Sequence, residues 1–407
     1  MFRIPATSPL RMTVLKCLPW AIWVGLLLVV SVRLLGGERR TVTDAYEQAA
    51  QHWMAGEPMY EMSGRGFLYF PQAAIVYAPF ASVGDPWGDI LWRFCGIALF
   101  GWSILRISRV MAPGDPEFHL GIVFVSALLC FSCLRNGQST LPMTALMLLA
   151  AECIYQRRWN RAALCLALGF AVKPLVLVML LLAAAVVPQL RVRLAVGLVL
   201  VLLTPFLLQN PAYVLEQYQD CFAMMRVAHD LGHQDWWAQT FGMLRTVGVH
   251  IAGPMQTGVR LAAALVTLCA TVIVFRRSPE ARRPVWLFTL SAVYLLLFNP
   301  RTENNTYCLL GPALGMFYAE ELIAKNRRWH AGGLILLALL TLGSYELGKL
   351  MTSSGMPPVW LAPLACCAFA GYLGFRLVNE SRATQAGNLS GENDLAQRPT
   401  TSQGHAA

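Results

Sequence analysis

Residues 41–71 read TVTDAYEQAAQHWMAGEPMYEMSGRGFLYFP and follow directly on the first hydrophobic helix of a chain that is otherwise mostly apolar. Asp44 is followed by an amphipathic run and a Gly-Glu-Pro break at 56–58, and an aromatic stretch then leads into Pro71. This pattern predicts a loop that lies on a membrane surface and holds polar groups above it. A simpler interpretation is that Asp44 only caps a helix over residues 45–55.

The composition excludes a soluble globular protein. Of the 407 residues, 56% are hydrophobic and 13% are charged, and the mean hydropathy is +0.51. Apolar windows of roughly 15–22 residues recur at 17–36, 87–107, 118–134, 139–155, 162–188, 194–208, 257–275, 285–299, 306–323, 331–350 and 358–377. If 162–188 is two short spans broken at Lys173-Pro174, the chain is an all-α polytopic membrane protein with about twelve transmembrane helices.

Charge predicts the orientation of these helices. Arginines and lysines fall in alternate short loops, which places those loops and both termini in the cytoplasm. The outer loops at about 37–86 and 209–256 contain no lysine and are predicted to carry surface helices. Residues 1–378 then form the membrane domain, and 379–407 form a disordered cytoplasmic tail. The net charge of +10 is therefore a topology signal and does not indicate nucleic-acid binding.

Residues 67–83 are apolar but do not fit a further span. Pro71 and Pro79 bracket a segment too short to cross comfortably, and a crossing would invert every downstream basic loop. We expect a helix that dips into the outer leaflet.

Lys173 is the most informative charged residue within the apolar windows. It lies in AVKPLVLVML, and a buried charge there costs several kcal/mol unless it is paired or solvated. Pro174 frees backbone carbonyls at the same point, which indicates a cavity. The alternatives to a functional role are that the Lys173 ammonium forms a structural ion pair with a carboxylate, or that it snorkels to the membrane interface from two short spans.

Two polar turns separate apolar helices on the predicted outer side. RNGQST at 135–140 carries several hydrogen-bond donors that suit a sugar or a phosphate, or that merely satisfy helix ends. NPRTENNTY at 299–307 is more polar than a turn requires, unless Arg301 and Glu303 form a surface ion pair. Between these turns, the histidines and aspartates of 229–235 match no standard zinc spacing, so we expect no metal site.

Taken together, these segments resemble glycosyltransferase family 87, the polyprenyl-phosphate-mannose-dependent mannosyltransferases of the C-type glycosyltransferase fold. The resemblance covers roughly residues 15–325 in order. It rests on DAYEQAAQHWMAGEPMY…FLYFPQ from Asp44, NGQ at 136–138, GFAVKP at 169–174, WAQTFGMLR at 237–245 and NPRTENNTY at 299–307. It implies transfer of a sugar, with mannose the first choice, from a polyprenyl phosphate carrier on the periplasmic face of the bacterial inner membrane. The acceptor would be a glycolipid or glycan, and the aspartate of the first outer loop, here Asp44, would be the base.

The residues suggest how such a transfer would proceed. Polyprenyl phosphate is an adequate leaving group, so a base, cations and positioning suffice, and a single base opposite the phosphate gives inversion. We expect neither an obligatory metal nor a cofactor. The predicted phosphate-binding residues are Lys173, Arg301 and Arg135. The predicted sugar- or acceptor-binding residues are Tyr69, Asn136, Gln138, Trp237, Gln239, Glu303, Asn304 and Asn305.

A lipid-linked sugar flippase or transporter is the competing hypothesis, because it shares the spans, the broken helix and the buried lysine. It needs no outer-face carboxylate on a surface loop. A membrane-embedded scaffold would leave Lys173 and the 299–307 turn unexplained.

Overall fold

A computed structural model of the chain describes residues 9–37, 41–61, 66–230, 237–351 and 359–396. Those residues contain helices and turns but no strand, so the all-α prediction is confirmed. The helices are α1 Pro9–Leu35, α2 Thr43–Ala55, α3 Pro71–Ala81, α4 Trp87–Met111, α5 Pro116–Arg135, α6 Thr140–Tyr155, α7 Trp159–Val172, α8 Leu177–Val186, α9 Arg191–Leu203, α10 Pro211–Asp230, α11 Thr240–Thr246, α12 Gly253–Arg277, α13 Arg283–Phe298, α14 Leu310–Ala319, α15 Arg328–Met351 and α16 Leu361–Ala396.

Seven helical segments are long and apolar enough to cross a membrane, and four shorter apolar helices accompany them. The prediction of a polytopic membrane protein is therefore confirmed. The seven are 9–35, 87–111, 116–135, 188–207, 253–277, 328–347 and 361–380. The four shorter ones are 140–155, 159–172, 174–186 and 283–298, and each of the eleven coincides with an apolar window of the sequence.

Ion pairs connect helix ends at one end of the bundle, which we call the basic end. Arg11, in the first turn of α1, forms an ion pair with Glu117 at the start of α5, and the distance between Nη2 of Arg11 and Oε1 of Glu117 is 2.7 Å. Further pairs join Arg106 to Glu152, Arg157 to Glu280 and Arg282 to Glu320. The loop between α1 and α4 and the turns around 136, 173 and 300 lie at the other end, which we call the cavity end.

The helix break predicted at Lys173-Pro174 is confirmed. α7 ends at Val172, Lys173 is extended with φ −157° and ψ 118°, and a short 3-10 turn at Pro174–Val176 leads into α8. Trp159 at the start of α7 and Val187 after α8 line one small cavity at the basic end. The two short helices therefore run antiparallel, with Lys173 at the bend between them.

Three helices, α2, α3 and α10, pack on one another through a separate aromatic cluster at the cavity end. α3 has 11 residues, about 16 Å at 1.5 Å per residue, so it is too short to cross a bilayer core of roughly 30 Å. α10 holds the chain between α2 and α3, because Gln217 accepts a hydrogen bond of 2.9 Å from the amide of Met59. Tyr213 likewise donates to the carbonyl of Glu57 at 2.7 Å.

Two local features differ from the sequence predictions. α2 begins at Thr43 with Val42 at the N-cap, and the Thr43 amide donates to Oγ1 of Thr41, so Asp44 lies in the first turn and is not the cap. α16 continues to Ala396, so the backbone is helical at 379–396, where a disordered tail was expected. An i,i+4 ion pair of 2.8 Å between Arg376 and Glu380 supports the helix where it leaves the apolar segment.

Candidate functional site

A cavity of about 430 Å³ lies at the cavity end, between the first outer loop, the Lys173 bend, α10–α12 and the turn after α13. Polar and apolar side chains both line it. The lining residues are Leu68, Tyr69, Gln138, Lys173, Pro174, Leu175, Met225, Ala228, Trp237, Gln239, Arg245, Gln256, Arg260, Asn299, Pro300, Arg301, Glu303 and Thr306.

The ionisable lining residues make this cavity cationic. Lys173, Arg245, Arg260 and Arg301 face a single carboxylate, Glu303, among the lining residues that the structure describes. Several cations around a partly enclosed space attract an anionic ligand, because the surrounding protein screens their charge less than water does. We call this space the cationic cavity.

Lys173 reaches the cationic cavity from the bend between α7 and α8. Its Nζ donates a 2.7 Å hydrogen bond to Oγ1 of Thr140 and lies 5.7 Å from the ring centroid of Tyr69. No carboxylate within the described ranges pairs with it, so the alternative of a structural ion pair is not realised. The ammonium is held by one hydroxyl and one aromatic face, and can donate its other protons to a ligand.

Arg301 is held against an aromatic ring. Its guanidinium carbon lies 4.7 Å from the ring centroid of Trp237, a cation–π geometry. Burial lowers the pKa of this guanidinium, and the nearby Glu303 and Tyr69 oppose that effect. Its Nη1 is buried and has no hydrogen-bond partner within the described part of the chain, and it forms no ion pair with Glu303. The alternative of a surface ion pair between Arg301 and Glu303 is therefore not realised, and a planar donor is available at the cavity.

Glu303 is oriented from the neighbouring turn. Nε2 of the buried Gln138 donates to Oε2 of Glu303 at 2.9 Å. The turns at 135–140 and 299–307, which are far apart in sequence, therefore meet at one wall of the cationic cavity.

Arg93 of α4 fixes the turn that carries Gln138. Its fully buried guanidinium donates to the carbonyls of Leu134 and Arg135, each at 2.9 Å, and also pairs with Asp89. The indole of Trp92 donates to the carbonyl of Gly137 at 2.8 Å. This clamp could not be predicted from the sequence, because the pattern around an arginine six residues into an apolar helix does not distinguish a buried guanidinium from one that snorkels to the interface.

The same clamp holds the start of α2. Arg93 also donates to Oγ1 of Thr41 at 3.1 Å, and the amide of Val42 donates to the carbonyl of Asn136 at 3.0 Å. Asp44 follows two residues later, exposed at the cavity end and outside the residues that line the cationic cavity. The structure thus places Asp44 beside the turn that supplies Gln138.

Gly137 provides a direct test of this clamp. Its φ is +63°, and a Cβ there would lie 2.5 Å from Cγ2 of Thr43 and 3.0 Å from Nη2 of Arg93. Both neighbours are buried and cannot easily move. We expect Gly137→Ala to lower the free energy of unfolding by about 1–3 kcal/mol more than the strain of a positive φ alone would.

Gly114→Ala is the matched control, because Gly114 has φ +77° but its Cβ would meet nothing within 4 Å. The comparison of unfolding temperatures in detergent measures the difference. Equal destabilisation by the two substitutions would mean that the clamp around Gly137 is not tight.

Seven of the predicted site residues line the cationic cavity: Tyr69, Gln138, Lys173, Trp237, Gln239, Arg301 and Glu303. Arg135, Asn136, Asn304 and Asn305 do not line it. Nε of Arg135 and Oδ1 of Asn304 are nevertheless buried without a partner in the described ranges, and Asn305 accepts a hydrogen bond from Ser132. These four residues flank the wall that Gln138 and Glu303 form.

The cavity also contains residues that the sequence analysis did not single out: Arg245, Gln256, Arg260, Asn299 and Thr306. Arg260 on α12 donates to the carbonyl of Phe298 at 3.1 Å and to Gln256 at 3.2 Å, and lies 5.0 Å from the ring centroid of Phe241. Arg260 lies within the apolar window 257–275. It could therefore have been predicted as Lys173 was, because an ionisable residue within a membrane segment is a candidate functional residue.

An apolar groove of about 400 Å³ begins one helical turn along α12 from the cationic cavity, at Ala264 relative to Arg260. It runs between α8 and α12 and is lined by Val178, Leu181, Leu182, Ala185, Ala264, Leu265, Thr267, Leu268 and Tyr294. Tyr294 connects the two spaces, because its hydroxyl donates to the carbonyl of Arg260 at 3.4 Å. A ligand with an anionic head and a long hydrocarbon chain matches this combination.

No group of three or more histidine, cysteine, aspartate or glutamate side chains suited to a metal ion occurs in the part of the chain that the structure describes. The candidate zinc residues at 229–235 have side chains outside the described residues.

The sequence model of glycosyltransferase family 87 matches residues 67–300, more than half of the chain. No curated protein and no solved structure matches the chain. The match spans the segments that contribute Tyr69, Gln138, Lys173 and Trp237 to the cationic cavity.

Proposed function

The chain belongs to glycosyltransferase family 87, and we propose that its sugar donor is a polyprenyl-phosphate-linked sugar, with mannose as the first sugar to test. The acceptor is a glycolipid or glycan on the periplasmic face of the bacterial inner membrane. Membership of a transferase family favours this function over a flippase, which would not need a reacting carboxylate.

The observation that carries this proposal is the closeness of the cationic cavity to the apolar groove, since Arg260 of the cavity and Ala264 of the groove lie one helical turn apart on α12. Four cations against one carboxylate favour a phosphate. The groove between α8 and α12 offers hydrocarbon-lined space to the chain that such a phosphate would carry. The phosphates of a water-soluble nucleotide sugar would also suit the cationic cavity, but such a donor has no hydrocarbon chain to occupy the apolar groove.

In the proposed reaction, the acceptor hydroxyl attacks the anomeric carbon of the sugar while the bond from that carbon to the phosphate oxygen breaks. Asp44 takes the proton of the hydroxyl, and polyprenyl phosphate leaves with the bonding electrons. Lys173, Arg260 and Arg301 stabilise the growing phosphate charge, with Arg135 as a further candidate. Attack opposite the leaving phosphate inverts the anomeric centre.

Membrane orientation is part of the same proposal. We place the basic end in the cytoplasm and the cationic cavity at the periplasmic face, since basic loops are retained inside. Counting the segment at 306–323 with the eleven apolar helices gives about twelve crossings, as in the C-type fold. Both termini are then cytoplasmic.

Photo-crosslinking tests the donor. Polyprenyl phosphate with a photoreactive group in its first isoprene units is expected to label α8 at 178–185 and α12 at 264–268. Unlabelled polyprenyl phosphate should compete, and Lys173→Ala should reduce the labelling. Mass spectrometry of the digested protein locates the adducts.

The hydrocarbon alone is the matched control. A polyprenol with the same photoreactive group but no phosphate should label these helices much less, because the cations cannot hold it. Equal labelling by both probes, or phosphate-dependent labelling only on other helices, would contradict the proposed donor site.

A further inference from the structure

A second cavity, of about 300 Å³, lies at the basic end and has no part in the proposed transfer. Its walls come from the α6–α7 turn, the end of α8 and the α12–α13 turn. Ile154, Trp159 and Phe275 form an apolar interior, whereas Arg157 and Arg283 lie at its rim. An apolar interior with a cationic rim is a typical site for an amphiphilic anion.

The rim has a donor that the protein itself does not use. Arg157 is mostly exposed and forms a 2.8 Å ion pair with the equally exposed Glu280. Arg283 is half-buried, and its Nε donates to the carbonyl of Ser278 at 3.1 Å. Its Nη1 and Nη2 have no protein acceptor in the part of the chain that the structure describes. A planar guanidinium with two open nitrogens at such a rim suits the two oxygens of a phosphate.

The charge around the cavity is strongly positive. Arg158 in the α6–α7 turn, Arg161 in the first turn of α7, and Arg276 and Arg277 at the end of α12 add to this charge, and none of them forms an ion pair within the described ranges. Glu280 is the only carboxylate among the described lining residues. The local field therefore favours an anion over a neutral or zwitterionic headgroup.

The backbone at Arg157 supports a role for its side chain. Arg157 follows α6 with φ 56°, and the amide of Arg158 donates to the carbonyl of Cys153 at 2.8 Å, which closes the helix end. Glycine suits such a left-handed position best, whereas arginine adopts it at a cost in backbone energy. The backbone at this helix end would be served better by glycine, so the arginine is explained by the positive charge that it brings to the rim of the cavity.

We propose that this cavity binds the phosphate headgroup of an anionic phospholipid from the leaflet at the basic end. The phosphate contacts Arg283 and Arg157, and the acyl chains lie along the exposed apolar surface at the end of α12, where Ile273 faces outward. This site is separate from the donor site and does not depend on the proposed transfer.

Lipid retention by the purified full-length protein tests the proposal. The protein is loaded with phosphatidylglycerol or phosphatidylcholine, washed in detergent, and analysed by native mass spectrometry. The wild type is expected to retain phosphatidylglycerol about tenfold better than phosphatidylcholine, since the positive field of the rim disfavours the choline ammonium of the zwitterionic lipid. Arg157→Gly with Arg283→Gln should remove most of this preference.

The control is Arg158→Gln with Arg276→Gln, which removes the same two charges from exposed arginines outside the cavity. It should retain phosphatidylglycerol far better than the cavity variant does, because solvent and salt screen these two exposed charges, and its melting temperature should rise with added phosphatidylglycerol. If the double cavity variant is unstable without lipid, Arg157→Gly alone replaces it, because glycine relieves the backbone there.

Three results would overturn the proposal. The first is equal retention of phosphatidylglycerol by the cavity variant and the control, and the second is equal retention of both lipids by the wild type. The third is competition by millimolar glycerol phosphate as effective as by the lipid, since the site would then take a soluble phosphate.

Discussion

Asp44→Asn is expected to lower sugar transfer about 100-fold or more, as loss of a general base does. Asparagine has almost the same shape, and Asp44 is exposed and makes no capping hydrogen bond, so the fold should be unaffected. The rate of product formation with saturating donor measures the effect, and the unfolding temperature checks the fold.

Glu47→Gln is the matched control, because Glu47 lies three residues later on the same helix and is not assigned a role in the reaction. It should transfer sugar at nearly the wild-type rate. Glu303→Gln identifies the other possible base, the carboxylate that lines the cationic cavity. If Asp44→Asn remains active while Glu303→Gln loses transfer, the base is Glu303 and Asp44 has no part in the chemistry.

Arg301→Ala is expected to lower transfer by roughly 100-fold, the usual effect of removing one donor that stabilises a developing anion. The loss should appear mainly in the catalytic rate, because the charge on the phosphate grows as the sugar leaves. Arg301→Lys should recover only part of it, since lysine keeps the charge but loses the planar fork that stacks on Trp237.

Arg226→Ala provides a control for the loss of one positive charge at the same end. Arg226 is an exposed residue of α10 outside the cavity lining, next to Met225, which lines it. Its substitution should leave the kinetics within about twofold of wild type, as expected for a weakly coupled surface charge. Unchanged kinetics in Arg301→Ala would remove Arg301 from the donor site.

The fold class could be predicted from the sequence because hydropathy is a local property. Each apolar window became a helix, and the break at Lys173 followed from a charge and a proline in one stretch. The end of α16 was harder, because polar residues beyond 379 continue the helix. Pattern alone does not distinguish a solvated helix from a disordered tail.

The site could be predicted only in part, because its walls come from residues far apart in sequence. Lys173 could be predicted because it is a charge within an apolar window, and Arg301 because it lies in a short turn that is unusually polar. The contact between Gln138 and Glu303, and the clamp that Arg93 forms, depend on how α4, α5 and the turn after α13 pack. Such packing leaves no periodic signal in a single sequence, so the contact between Gln138 and Glu303 and the clamp of Arg93 became visible only in three dimensions.

Sugar transfer by the purified protein in detergent tests the central claim most directly, because detergent abolishes sidedness and leaves a flippase without a product. With a labelled polyprenyl-phosphate mannose and a glycan or glycolipid acceptor, we expect release of polyprenyl phosphate together with an inverted glycosidic bond. A chelator should not affect the reaction, and Asp44→Asn should abolish it. Glucosyl, arabinosyl and aminoarabinosyl carriers are the next donors to test. If no donor reacts, while reconstituted vesicles carry lipid-linked sugar across the bilayer, the proposed donor chemistry is wrong.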